Sequence, residues 1–227
     1  MLRPQDPNEL RKLPRLLRAV AWRLPLELSQ LFAKLTFTPF VRCCDTQLLK
    51  EYVPDRGATL EDTTVTAGQR EVLVRALRRT ETIELPIVEI GAWHGATTAV
   101  LAEMTSRLVY AVDPYKDATG DEEDMQKMQN RIRDLRNVKH VRLSSGEAVK
   151  LLAHERFSLV FVDAIHDYLN AWFDFRAWGA LVVKGGMIAF HDVDDFPGAN
   201  LACRRILKRK GFVPWGYCPN MVIFRRE

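Results

Sequence analysis

Two sets of residues in this sequence have the types and spacing for chemistry. The first surrounds the turn Gly91-Ala92-Trp93-His94-Gly95, with Glu89 just ahead of it and Asp113 further along. Glycines let a ligand approach the backbone, and the N-terminus of a following helix offers free N–H groups. Glu89 would repel a dinucleotide pyrophosphate but attract an ammonium or sulfonium group. Trp93 stands where the dinucleotide fingerprint needs its second glycine. The turn therefore points away from nicotinamide cofactors and towards a cationic nucleoside. Asp113 falls about 20 residues after the turn, where an α/β nucleotide fold places the acid that holds ribose hydroxyls; opening a turn with Pro114 is its other reading. Ser145, Gly146 and Glu147 would border the base, with helix capping by Ser145 an equal rival.

The second set is Asp163-Ala164-Ile165-His166-Asp167 together with His191-Asp192. Carboxylates with an imidazole suit an oxygen-preferring cation such as Mg²⁺ or Mn²⁺ better than a closed zinc site. A cation there would bind a substrate hydroxyl and lower its pKa. His166, with an ordinary pKa of about 6.5, would take the proton. Against this, His166 and Asp167 read equally well as surface or capping residues, and His191 as a side chain packed at a strand end.

Both sets need elements that gather them. From Pro86 onward the patterning alternates. Strands are expected at 87–90, 108–112, 138–143, 157–162, 187–190, 212–216 and 221–224, and helices at 97–104, 121–135, 147–153, 168–183 and 200–210. Gly185 and Gly186 are expected to turn the chain into its fifth strand. Such alternation with short links means a mainly parallel sheet with helices on both faces. Glu89, Asp113, Asp163, His191 and Asp192 all fall at or near carboxyl ends of strands, the edge where such sheets bind ligands. Upstream, Thr66 and Gln69 match a capping box ahead of a helix carrying Val72, Leu73, Ala76 and Leu77. Residues 54–65 read as a polar surface loop, and residues 8–50 as short helices broken at Pro14, Pro25 and Pro39, with Asn8 an N-cap. There Leu16, Leu17, Val20, Ala21 and Leu24 lie beside Arg15, Arg18 and Arg23. Such a helix packs on its own domain or touches a membrane surface or partner.

Composition narrows the function classes. The net charge of +4 is spread along the chain, which argues against nucleic-acid binding. Four cysteines without C-x-x-C spacing suggest a reduced, cytoplasmic protein. No apolar run approaches the roughly 20 residues that span a bilayer, and the early arginines break any signal-peptide core.

The segments Val-Glu-Ile-Gly-Ala-Trp-His-Gly at 88–95, Val-Asp-Pro at 112–114, Phe-Val-Asp-Ala-Ile-His-Asp-Tyr at 161–168 and Gly-Gly-Met-Ile-Ala-Phe-His-Asp at 185–192 resemble class I S-adenosylmethionine-dependent methyltransferases. Within them, the chain is most similar to the bacterial small O-methyltransferases of the macrocin-type and cephalosporin hydroxylase-like branch. The resemblance implies a Rossmann-like α/β fold, a seven-stranded sheet with a final antiparallel strand. It also implies a domain over 61–227 behind an N-terminal helical extension or lid over 1–60. By position, Glu89, Gly91 and Gly95, with Trp93 in the same turn, would bind the methionine part of the cofactor. Asp113 would bind the ribose, and Ser145 and Gly146 the adenine. In the metal-dependent branch, which catechol O-methyltransferase also resembles, Asp163, His191 and Asp192 match the metal positions and His166 that of the general base. The departure is His191, where an acid is common.

The expected function is S-adenosylmethionine-dependent O-methylation, assisted by Mg²⁺, of a hydroxyl on a small molecule such as a sugar, glycoside or phenol. Asp163 and His166 would be catalytic. The alternatives are a metal-independent methyltransferase and a non-catalytic nucleoside-binding scaffold. The apolar N-terminal helix would suit a homo-oligomer contact.

Overall fold

The computed structural model describes residues 15–57, 62–116 and 120–227. The chain begins with α1 (Arg15–Leu35), α2 (Phe40–Cys43), the two-residue β1 (Glu51–Tyr52) and α3 (Ala67–Arg79). It then alternates through β2 (Ile87–Ile90), α4 (Ala96–Glu103), β3 (Val109–Val112), α5 (Glu122–Ile132), β4 (Val138–Val141), α6 (Ser145–Leu151) and β5 (Phe157–Val162). Last come α7 (Tyr168–Gly179), β6 (Val182–His191), α8 (Pro197–Ile206), β7 (Phe212–Cys218) and β8 (Met221–Arg226). The Asn8 cap and the Pro14 break lie outside the described residues.

The strands form one sheet in the order β1-β7-β8-β6-β5-β2-β3-β4, with β8 antiparallel to both neighbours. The seven expected strands are all present. An eighth, β1, pairs in parallel with β7 through Glu51 and Tyr52 and is too short to leave a period in the sequence. β2, β3 and β5 are buried at every position, as parallel strands covered on both faces must be. Alternate side chains feed two cores. Val88, Ile90, Phe157, Val160 and Phe224 pack with Trp178 and Phe40 on one face. Ile87, Phe161 and Ile223 pack with Leu73, Leu77 and Leu101 on the other.

Three expectations need correction. α1 runs through Pro25 instead of breaking there; proline removes one helical N–H bond, and the helix continues where it packs on α7 and α8. α7 stops at Gly179, short of Val183, because Val182 pairs with Phe157 at the start of β6. Gly185 and Gly186 thus lie inside β6, at an irregularity in register with β5. A side chain at Gly186 would sit 2.9 Å from the Ser158 carbonyl, and Gly185 has φ of +81°, so the glycines serve a bulge.

One buried cation ties α3 to the sheet. The Arg107 guanidinium donates to the carbonyls of Leu77 and Thr80 at 2.9 Å each and to Ser158 Oγ at 2.9 Å. These carbonyls lie at the carboxyl end of α3, where the backbone turns out of the helix and leaves them accessible to a further donor. Arg107→Leu should cost about 2 kcal/mol, the scale of hydrogen bonds to a charged donor. A denaturant midpoint unchanged from wild type would refute this.

Candidate functional site

The site lies where the strand order reverses. β2 is flanked by β3 and β5, so the loops after these strands open onto one crevice. Gly91 makes the fit: its φ is +94°, and a Cβ there would lie 1.9 Å from the Asp163 carbonyl oxygen. The crevice is a cavity of about 990 Å³. It brings together Gly91, Trp93, Asp113, Ser145, Gly146, Asp163, His166 and Asp192. Glu89, Gly95 and His191 stand outside its lining. Gly95 is the left-handed N-cap of α4, φ +73°, packed against Met128.

Glu89 is buried, and its carboxyl accepts the Thr98 hydroxyl. Burial, with Asp163 and Asp113 nearby, pushes its pKa up to about 8, against the pull of the Thr98 bond. The native chain therefore holds this proton where the unfolded chain has lost it, so stability should fall as pH rises from about 4.5 to about 8. Glu89→Gln should flatten the Tm–pH curve across that window; an unchanged slope would assign it to other groups.

Asp113 is also buried. Its two carboxylate oxygens accept the N–H groups of Trp93, at 3.0 Å, and Tyr115, at 2.9 Å. Burial raises its pKa against these two bonds. It thus both braces the turn after β2 and faces the cavity. Trp93, at φ +41°, stacks on His94 with ring centroids 3.8 Å apart, and its carbonyl accepts the Tyr115 hydroxyl at 2.6 Å.

At the other end, Ser144, not Ser145, caps α6 with Glu147. Ser145 instead donates to Asp174 and accepts the Trp178 indole N–H at 2.9 Å. Asp174 also lines the cavity, and burial pushes its pKa up to about 7. Sequence reasoning missed it, although an acid between Phe173 and Phe175 on an apolar helix was a readable signal.

The acidic cluster is compact. Ligand atoms of Asp163, His191 and Asp192 all lie within 4.8 Å of one another. His191 Nδ1 is 3.2 Å from Asp163 Oδ1 and 3.4 Å from Asp192 Oδ1. Burial alone would lower the His191 pKa, but Asp163, Asp192 and Asp195 together raise it. Asp192 sits at φ +59°, and the Asn220 amide donates to its Oδ1 at 2.9 Å. His166 Nε2 is 3.1 Å from Asp192 Oδ2 and its ring lies 4.5 Å from Phe196. Asp167 caps α7 by accepting Asn170 N–H at 3.0 Å, so its capping reading holds. Two carboxylates at the cavity wall, with one imidazole against them outside its lining, fit a divalent cation of mixed oxygen and nitrogen preference.

Residues 88–193 match a family model described as a methyltransferase domain. Several solved structures share the fold. The O-methyltransferase NovP gives a TM-score of 0.57 at 15% identity, covering 70% of this chain and 80% of that one. CalS11, a TDP-rhamnose 3′-O-methyltransferase of calicheamicin biosynthesis, gives 0.55 at 17%, covering 71% and 81%. An O-methyltransferase from Bacillus cereus in complex with SAH gives 0.57 at 17%, covering 74% and 84%. No curated protein matches the chain.

Proposed function

We propose that this chain, whose residues 88–193 match a family model described as a methyltransferase domain, is an S-adenosylmethionine-dependent methyltransferase that methylates a hydroxyl group of a small molecule, with a divalent cation assisting. The observation that carries this reading is the opening of Asp113 and the Asp163–Asp192 cluster into one cavity. S-adenosylmethionine supplies the methyl on its sulfonium, and Mg²⁺ at Asp163, His191 and Asp192 would lower the pKa of the acceptor hydroxyl. Asp113 holds the ribose, the backbone at Gly91 and Trp93 passes the methionine part, and Ser145 and Gly146 border the adenine. As the O–C bond forms and the S–C bond breaks in line, most of the catalysis is alignment.

His166 takes the hydroxyl proton. The Asp192 carboxylate, whose Oδ2 lies 3.1 Å from His166 Nε2, stabilises the imidazolium that results. Phe196, 44% exposed against the His166 ring, offers an apolar platform to the acceptor. The TDP-rhamnose activity of CalS11 supports a sugar or glycoside as the acceptor. All four cysteines are free, and no helix among the described residues is long and apolar enough to cross a membrane. One observation favours a metal-independent variant: His191 and Asp163 could form a plain ion pair. Activity that survives exhaustive chelation would select it.

Thermal unfolding tests the reading directly. S-adenosylmethionine at 100 times its Kd should add about 2.7 kcal/mol, or roughly 5–10 °C in Tm for a chain of this size. Mg²⁺ should add a further shift that a chelator reverses. No response to saturating cofactor would sink the proposal.

A further inference from the structure

We infer that Gln69 locks His191 in the tautomer whose Nδ1 lone pair faces Asp163 and Asp192, making the capping residue of α3 a positioning residue of the cation site. This rests on the metal-assisted reading above. Gln69 Oε1 accepts the Thr66 N–H at 2.8 Å, and its Nε2 donates to the Pro219 carbonyl at 2.9 Å. These two backbone partners fix the amide: turned over, its NH₂ would face a donor and its oxygen an acceptor. The same Oε1 lies 2.9 Å from His191 Nε2. An amide oxygen can only accept, so Nε2 carries the hydrogen. Gln69 and His191 are each 2% exposed, which leaves little room for water to replace the bond.

Whenever the ring is neutral, it turns an unprotonated Nδ1 towards carboxylate oxygens at 3.2 and 3.4 Å. Three acceptors facing one another repel unless a positive charge lies among them, and either a proton on Nδ1 or a bound cation supplies it, so proton and cation compete for one place. The link between β7 and β8 braces two of the three ligands at once. Pro219 holds Gln69 behind His191, and Asn220 holds Asp192. Partners that set the tautomer and orientation of a ligating histidine typically control metal affinity by 10–100-fold.

The test uses the full chain labelled with ¹⁵N-histidine, its His191 tautomer read by long-range ¹H–¹⁵N NMR at a pH where the ring is neutral. Mn²⁺ affinity is titrated in parallel by EPR without cofactor or acceptor. Wild type should show the Nε2–H form. Gln69→Glu keeps an acceptor for both Thr66 and His191 while losing the donor to Pro219, and should retain the Nε2–H tautomer. Gln69→Leu should give mixed tautomers and 10–100-fold weaker Mn²⁺ binding. Far-UV circular dichroism checks that each variant is folded. An Nδ1–H tautomer in wild type would overturn the inference even if Gln69→Leu failed to fold, as would an unchanged tautomer in folded Gln69→Leu. Wild type that binds no Mn²⁺ yet shows the Nε2–H form would remove the metal-assisted reading and leave the Gln69 lock supported.

Discussion

Asp163→Ala should lower turnover about a thousand-fold while leaving S-adenosylmethionine affinity within a few fold of wild type. Asp163 offers one of the ligand atoms in the cluster with His191 and Asp192, and its Oδ1 is the nearer of the two carboxylate oxygens facing His191 Nδ1. A cation that lowers the pKa of a bound hydroxyl is worth several kcal/mol at the transition state, and each 1.36 kcal/mol is tenfold in rate. The cofactor's ribose is assigned to Asp113, on a different strand end, so its affinity should hardly change. Single-turnover rates and equilibrium binding, measured on the same preparation, separate the two. Equal losses in rate and cofactor affinity would move Asp163 from the cation to the cofactor. A variant as active as wild type would end the metal assignment.

Gly91→Ala should destabilise the chain by about 3 kcal/mol or more. Two costs combine: a non-glycine residue held in a left-handed conformation, about 1–2 kcal/mol, and overpacking, about 1–3 kcal/mol. The added Cβ would meet the Asp163 carbonyl oxygen at 1.9 Å and the Ala164 Cα at 3.1 Å, both backbone atoms held at the end of β5. Gly57→Ala is the internal control, since Gly57 has φ of +66° but nothing within 4 Å of its missing Cβ. Thermal unfolding should place Gly91→Ala roughly 6–12 °C below wild type and Gly57→Ala much closer to it. Equal losses at both sites would show that conformation alone, and not the contact with β5, sets the requirement for glycine.

The sequence made some of this site readable because its chemistry falls at strand ends. Asp113 and Asp163 directly follow apolar runs rich in valine, and Asp192 follows an apolar run closed by His191, so their convergence needed only a parallel sheet. Elements that serve two purposes were harder to read. Gln69 explained itself fully as half of a capping box, and nothing in its spacing pointed to His191, which is distant in sequence and arrives by way of β6. Ser145 looked like a cap because Ser144 beside it satisfies the same pattern. Gly185 and Gly186 looked like a turn because a bulge and a turn use the same residue for different reasons. Glu89 was expected to greet the cofactor. Its place on β2 instead directs the carboxyl to Thr98, behind the cavity wall, and no pattern in one dimension gives the depth of a side chain.

The pairing of β1 with β7 bears on how the chain is made. Glu51 and Tyr52 leave the ribosome well before their partners Gly216 and Tyr217. At about 5–20 residues per second, this segment waits roughly 10–30 s for the strand it must join. α1 waits as well, since it packs on α7 and α8. During that interval Val53 and Phe40, both buried in the finished protein, are without the surfaces that cover them. The segment from Phe40 to Val53 is therefore synthesised long before it is secured, which makes it the natural client of holding chaperones and a place where proteases gain entry to nascent chains.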